Sequence, residues 1–195
     1  MFNYSNGKKL ATLGFAANIV AVVLYYVGVT LRYLVYRFFG LPAFEDALIG
    51  IIRALLIIGS RGTLIALFGA AVGFGVMWLS EKKALDFLLA GALLITVLAD
   101  FLLGRFIPAV SSTVYLVITA ITAIFYLLLA IRVKDNNPML AMLLGCAFLF
   151  QFVSPIYYNF IVPNFFALPD LIEILIFVVG NIVCAGLCFI AAKQE

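Results

Sequence analysis

From Leu10 to Ala192 the chain is a succession of apolar runs, interrupted only by short turns that hold most of its charges and prolines. Runs of about 20 apolar residues are what an α-helix needs to cross the roughly 30 Å hydrocarbon layer of a bilayer. Hydrophobic residues make up 67% of the 195 and charged residues 11%, and the mean hydropathy is +1.25. A soluble domain of this size could not bury so much apolar surface. The sequence therefore predicts an all-α integral membrane protein, a single transmembrane domain over 1–195 with short loops. Whatever it does is done by helices and turns.

The turns divide the chain into seven segments. Segment 1 covers 10–36 and ends among tyrosines and arginines, Tyr25, Tyr26, Arg32, Tyr33, Tyr36 and Arg37, a mixture suited to a membrane interface. Segment 2 covers 43–59 and starts after Pro42, with Glu45 and Asp46 placed to complement the helix dipole. It is barely long enough to cross, and Arg53 falls near its middle. An in-plane helix is the alternative, although Asp46, Gly50 and Arg53 make a thin polar stripe for one. Segment 3, over 63–80, offers Gly69, Gly73 and Gly75 as a face for close helix approach.

After the tight turn Glu81-Lys82-Lys83, segment 4 covers 84–103 with Asp86 and Asp100 near its ends; Asp100 and Arg105 are read as an interfacial charge pair. Segment 5 covers 109–131, where Ser111, Ser112, Thr113, Thr119 and Thr122 can bond within the helix or across to a neighbour. Segments 6 (138–162) and 7 (169–192) follow the hydrophilic loop 132–137. The bundle thus has seven spans, or six if segment 2 does not cross. In either version Lys82, Lys83, Arg132, Lys134 and Lys193 share one side, which the positive-inside rule makes cytoplasmic. A multi-pass protein of the cell membrane with a cytoplasmic C-terminus is expected, its N-terminus outside if seven segments cross.

Most of the mid-membrane polar residues lie in the last hairpin: Gln151, Pro155, Tyr157, Tyr158, Asn159 and Asn181. Pro155 has no N–H for the carbonyl four residues earlier, which is how broken helices expose coordinating oxygens. Asn18 and Arg53 are the corresponding N-terminal residues. An arginine near the bilayer centre costs about 2.5–3.5 kcal/mol, so Arg53 marks either an anion site or a structural pair. Asn18, Gln151 and Asn181 either bond across helices or line one cavity with Tyr158 and Asn159. These six, Arg53, Gln151, Asn181, Asn18, Asn159 and Tyr158, are the candidate substrate-binding residues. Asp170 and Glu173, directly after Pro169, read as a helix start.

A repeat is also visible. Phe38-Phe39-Gly40-Leu41-Pro42 matches Phe165-Phe166-Ala167-Leu168-Pro169, and Leu13-Gly14-Phe15-Ala16 echoes Leu144-Gly145-Cys146-Ala147. Segments 1–2 would then recur as 6–7, inverted if seven segments cross, a common transporter plan. In a chain with 19 phenylalanines, chance matches of this kind are the competing explanation.

Several functions are disfavoured by what is missing. The chain has no histidine, which removes Ser-His catalysis, histidine-ligated haem and His-containing zinc sites. Cys146, Cys184 and Cys188 lie within apolar runs and read as packing. Phosphate-binding glycine loops are absent, and the net charge of +3 is spread over segment ends, not gathered for nucleic acid. No enzyme, metal or cofactor is expected. In length and hydropathy the chain is similar to the substrate-capture subunits of vitamin-importing energy-coupling transporters, and Ala17 and Ala21 set two small residues four apart; this is a likeness of size, carried by no motif. Two readings follow: a transporter or channel with a midplane polar site for a small solute, or a non-catalytic subunit of a larger membrane complex. The bilayer is the expected partner, with other membrane subunits or a second copy of the chain as further candidates.

Overall fold

The computed structural model describes residues 3–38, 46–106, 112–157 and 170–194. They form six helices: α1 (Tyr4–Phe38), α2 (Asp46–Glu81), α3 (Ala84–Phe106), α4 (Ser112–Val133), α5 (Pro138–Ile156) and α6 (Asp170–Lys193). Five are long and apolar enough to cross a membrane, over Tyr4–Val35, Leu48–Glu81, Ala84–Leu102, Pro138–Ile156 and Leu171–Lys193. Large apolar side chains such as Leu13, Ile65, Phe68, Ile95 and Val179 point outward, each about half exposed or more. An outward apolar surface of this extent matches a lipid-facing bundle.

Seven segments are not what forms. Segments 2 and 3 are one continuous helix, α2, running through Gly59-Ser60-Arg61-Gly62 without a break. The two glycines that look like a stop are there for close approach. A Cβ on Gly59 would lie 2.5 Å from the Tyr25 backbone nitrogen, and one on Gly62 would press on Ala21. The same seam continues through Gly14 against Ala66 and Ala70, and Gly73 against Ala11, so α1 and α2 pack antiparallel along nearly their whole length. Gly69 and Gly75, expected on this face with Gly73, have nothing within 4 Å of a Cβ and lie off it.

Packing places the starts of α1 and α3 and the ends of α2 and α4 at one end of the bundle. There Arg132 of α4 forms an ion pair with Asp86 of α3 at 3.0 Å, with side chains only 8% and 3% exposed. Arg132 also donates to the Tyr4 hydroxyl of α1 at 3.0 Å and lies over the Phe74 ring of α2. This pair, and not Arg53, is the buried charge of the described residues; Arg53 is exposed. The α2–α3 turn closes through Lys82 at φ 57°, with Lys83 on Glu81 at 2.8 Å. Thr12 near the start of α1 approaches the Ala192 carbonyl near the end of α6, so both ends of the described chain lie on this side. Asn137 caps α5 by accepting from the Leu140 N–H at 2.9 Å, with Pro138 in the first turn.

α1 and α5 therefore run in one direction and α2 and α6 in the other. The two hairpins compared in the sequence run in the same sense, so the inverted relation, which required seven crossings, is not the arrangement. Their Phe-Phe-x-Leu-Pro turns lie outside the described residues. Between the helices, the core is Phe15, Phe74, Leu89, Phe125, Leu129, Leu144, Cys184 and Cys188. Cys146 faces outward, away from the other two cysteines.

Candidate functional site

Away from the charged end, the helices separate around polar side chains. Asn181 of α6 is the hub: its Nδ2 donates to the Tyr26 hydroxyl of α1 at 2.6 Å and to the Phe177 carbonyl at 2.8 Å. Its Oδ1 accepts from Gln151 Nε2 of α5 at 3.1 Å. Three helices are thus tied by one chain of hydrogen bonds. The bonds border a cavity of about 400 Å³, lined also by Tyr25, Thr119 of α4, Ser154 and Pro155. Pro155 is buried inside α5 and cannot donate to the Gln151 carbonyl four residues before it. The helix ends a residue later, with the Tyr157 N–H turning back to Ser154 and Val153.

Two further cavities also have Tyr25 in their walls. One, of about 440 Å³, is walled by Arg32, Arg53, Leu56, Ile57 and Ser60. The other, of about 330 Å³, reaches Tyr26, Ser60, Thr63, Asp100 and Asn181. Hydroxyl, amide, guanidinium and carboxylate groups from all six helices therefore line three neighbouring cavities. At about 1.5 Å per residue, Gln151 and Asn181 lie roughly 20 Å along their helices from the charged end. α2 reaches past α6 at that end, since Gly73 packs on Ala11 while Thr12 meets Ala192; from the level of Gly73, Arg53 lies roughly 30 Å along α2.

The continuity of α2 changes the place of Arg53. It looks central only when α2 is cut at Gly59; in the full helix it stands seven residues after the start at Asp46. There its side chain is exposed and lines the cavity beside Tyr25. Asn18 does not reach it. Asn18 is 7% exposed within the α1–α2 seam, and its Oδ1 has no hydrogen-bond partner among the described residues. Val22, one turn on, is the nearest α1 residue on that stripe to line a lobe. Tyr158 and Asn159 lie outside the described residues, so Gln151 and Asn181 are the predicted candidates that meet directly, with Arg53 in the adjoining lobe.

Tyr26, Thr119 and Asp100 complete the cleft without having been singled out for it. Tyr26 has the composition of an interfacial aromatic, and only the position of Asn181 turns it into a bonding partner. Thr122, three residues beyond Thr119, instead bonds across to Thr96 of α3 at 3.2 Å. Compared with protein-family models, curated proteins and solved structures, the chain matches none.

Proposed function

We propose that this chain is a multi-pass transporter or channel of the cell membrane, and that the polar cleft around Tyr25 is where its solute binds. The single observation that carries the reading is that Gln151, Asn181 and Tyr26, tied to one another, border a space large enough for a small molecule. Ligand sites of about 300–1,000 Å³ with a few convergent polar groups are the usual form. By the positive-inside rule, the end holding Lys8, Lys9, Lys82, Lys83, Arg132, Lys134 and Lys193 faces the cytoplasm, so the cleft belongs to the opposite half of the bilayer. Both termini are then cytoplasmic, and the chemistry is binding and passage, not bond making.

The alternative, a non-catalytic subunit docked to other membrane chains, is favoured by the outward apolar faces of α3 and α6. A thermal-stability screen of the protein in lipid nanodiscs separates the two. Transport predicts that some small solutes stabilise the protein and that Gln151→Leu and Asn181→Leu abolish the response. A protein stabilised by no solute, yet purified from its native membrane with fixed partner chains, would make the subunit reading the correct one.

A further inference from the structure

The polar cleft shares two of its walls, Ser154 and Phe177, with a second cavity of about 350 Å³. That cavity is the gap between α5 and α6, lined by Leu149, Phe150, Val153, Tyr157 and Ile176. Its character is opposite to that of the cleft, since the surface it presents is apolar throughout. Leu149, Val153 and Ile176 are among the outward-facing side chains of their helices, so the gap opens sideways toward lipid. A polar chamber and an apolar side slot that meet at one pair of residues have the shape of a molecule with a head and a tail.

We propose that the ligand of this cleft is an anionic amphiphile. Its hydrogen-bonding head lies against Gln151, Asn181 and Tyr26, its negative group reaches past Tyr25 to the Arg53 lobe, and its apolar tail leaves between α5 and α6. The inference rests on the reading of the cleft as a binding site and names the class of ligand. Charge places the negative group: the lobe lined by Arg53 attracts it, and Asp100 repels it from the third lobe. Burial of the tail is not what drives binding, because hydrocarbon gains nothing on leaving lipid for an apolar slot. The slot gives lateral entry from the bilayer, which concentrates the amphiphile, and leaves recognition to the head.

A short-chain phosphatidic acid and glycerol 3-phosphate, its soluble head, serve as probes, measured by equilibrium binding to the protein in phosphatidylcholine nanodiscs. Lipid partitioning predicts saturable binding of the amphiphile at least about a hundredfold tighter than that of the head alone. Val153→Trp and Ile176→Trp fill the slot from exposed positions and leave the cleft intact. Each is expected to weaken the amphiphile about tenfold or more, without changing the weak binding of glycerol 3-phosphate. Arg53→Gln weakens both probes. If glycerol 3-phosphate binds as tightly as the amphiphile and the slot variants are silent, the ligand is a soluble anion: the amphiphile proposal falls while the cleft stands. If a bound probe is indifferent to both Gln151→Leu and Asn181→Leu, the cleft is not the site and both readings fail. Absence of saturable binding by either probe to folded protein overturns the proposal.

Discussion

The two ends of this bundle treat polar groups in opposite ways. At the charged end, Asp86 and Arg132 are pressed together among Tyr4, Phe74 and Met77, and the surrounding helices leave them almost no exposure. At the other end, Gln151, Asn181 and Tyr26 are also hydrogen-bonded to one another, yet they border open volume. Polarity within an apolar bundle therefore does not by itself mark a site. What separates a fastening from a site is whether the polar groups fill their space or surround it.

The sharpest break of that contrast is at the fastening. Arg132→Leu leaves Asp86 buried without its cation and is expected to cost about 3–5 kcal/mol of stability, read as a large fall in thermal midpoint. The double variant Asp86→Leu with Arg132→Leu should recover most of that loss, because no charge then remains in an apolar setting. If Arg132→Leu alone is harmless, the pair is not a fastening and the two ends do not differ as described.

The α1–α2 seam gives the next largest effect. Gly59→Leu forces a side chain into the Tyr25 backbone and should destabilise by about 1–3 kcal/mol or more. Gly69→Leu, ten residues on and facing open space, should change stability by less than about 0.5 kcal/mol. Thermal unfolding of the two variants side by side checks the continuity of α2. Equal effects would place the break back between segments 2 and 3.

At the cleft, stability and function should separate. Asn181→Ala removes interhelical hydrogen bonds that average about 0.6 kcal/mol each in membrane proteins, so a modest loss of stability is expected alongside complete loss of ligand response. The smallest effect belongs to Asn18. Its buried Oδ1 makes no hydrogen bond among the described residues, so Asn18→Leu is expected to leave stability unchanged or raise it by up to about 1 kcal/mol. A clear destabilisation would show that Asn18 is a bonded member of the seam.

Much of this was legible in the sequence. The turn at Lys82-Lys83, the start of α5 behind Asn137, the start of α6 at Asp170 and the meeting of Gln151 with Asn181 all follow from punctuation and from polar residues stranded in apolar runs. The failures have a common cause, which is that one dimension cannot tell a residue's local role from its role toward another helix. Gly59 and Gly62 have the composition of a helix end and serve as the floor for α1. Cutting α2 there made Arg53 look central and added a seventh crossing. Asp86 and Arg132 each read as an end charge, because nothing in either segment shows that their ends converge. Tyr26 was hidden for the same reason, as one tyrosine among several at an interface.

The central claim, that the cleft is open space on the non-cytoplasmic side, is tested most directly by thiol labelling. With Cys146 replaced by serine, Ser154→Cys places a thiol on the cleft wall, and Ala130→Cys places one in the packed charged end. A membrane-impermeant thiol reagent added from the non-cytoplasmic side is predicted to modify the first and to leave the second untouched until the protein is denatured. Failure to modify Ser154→Cys in folded protein, or its modification only from the cytoplasmic side, would contradict the account.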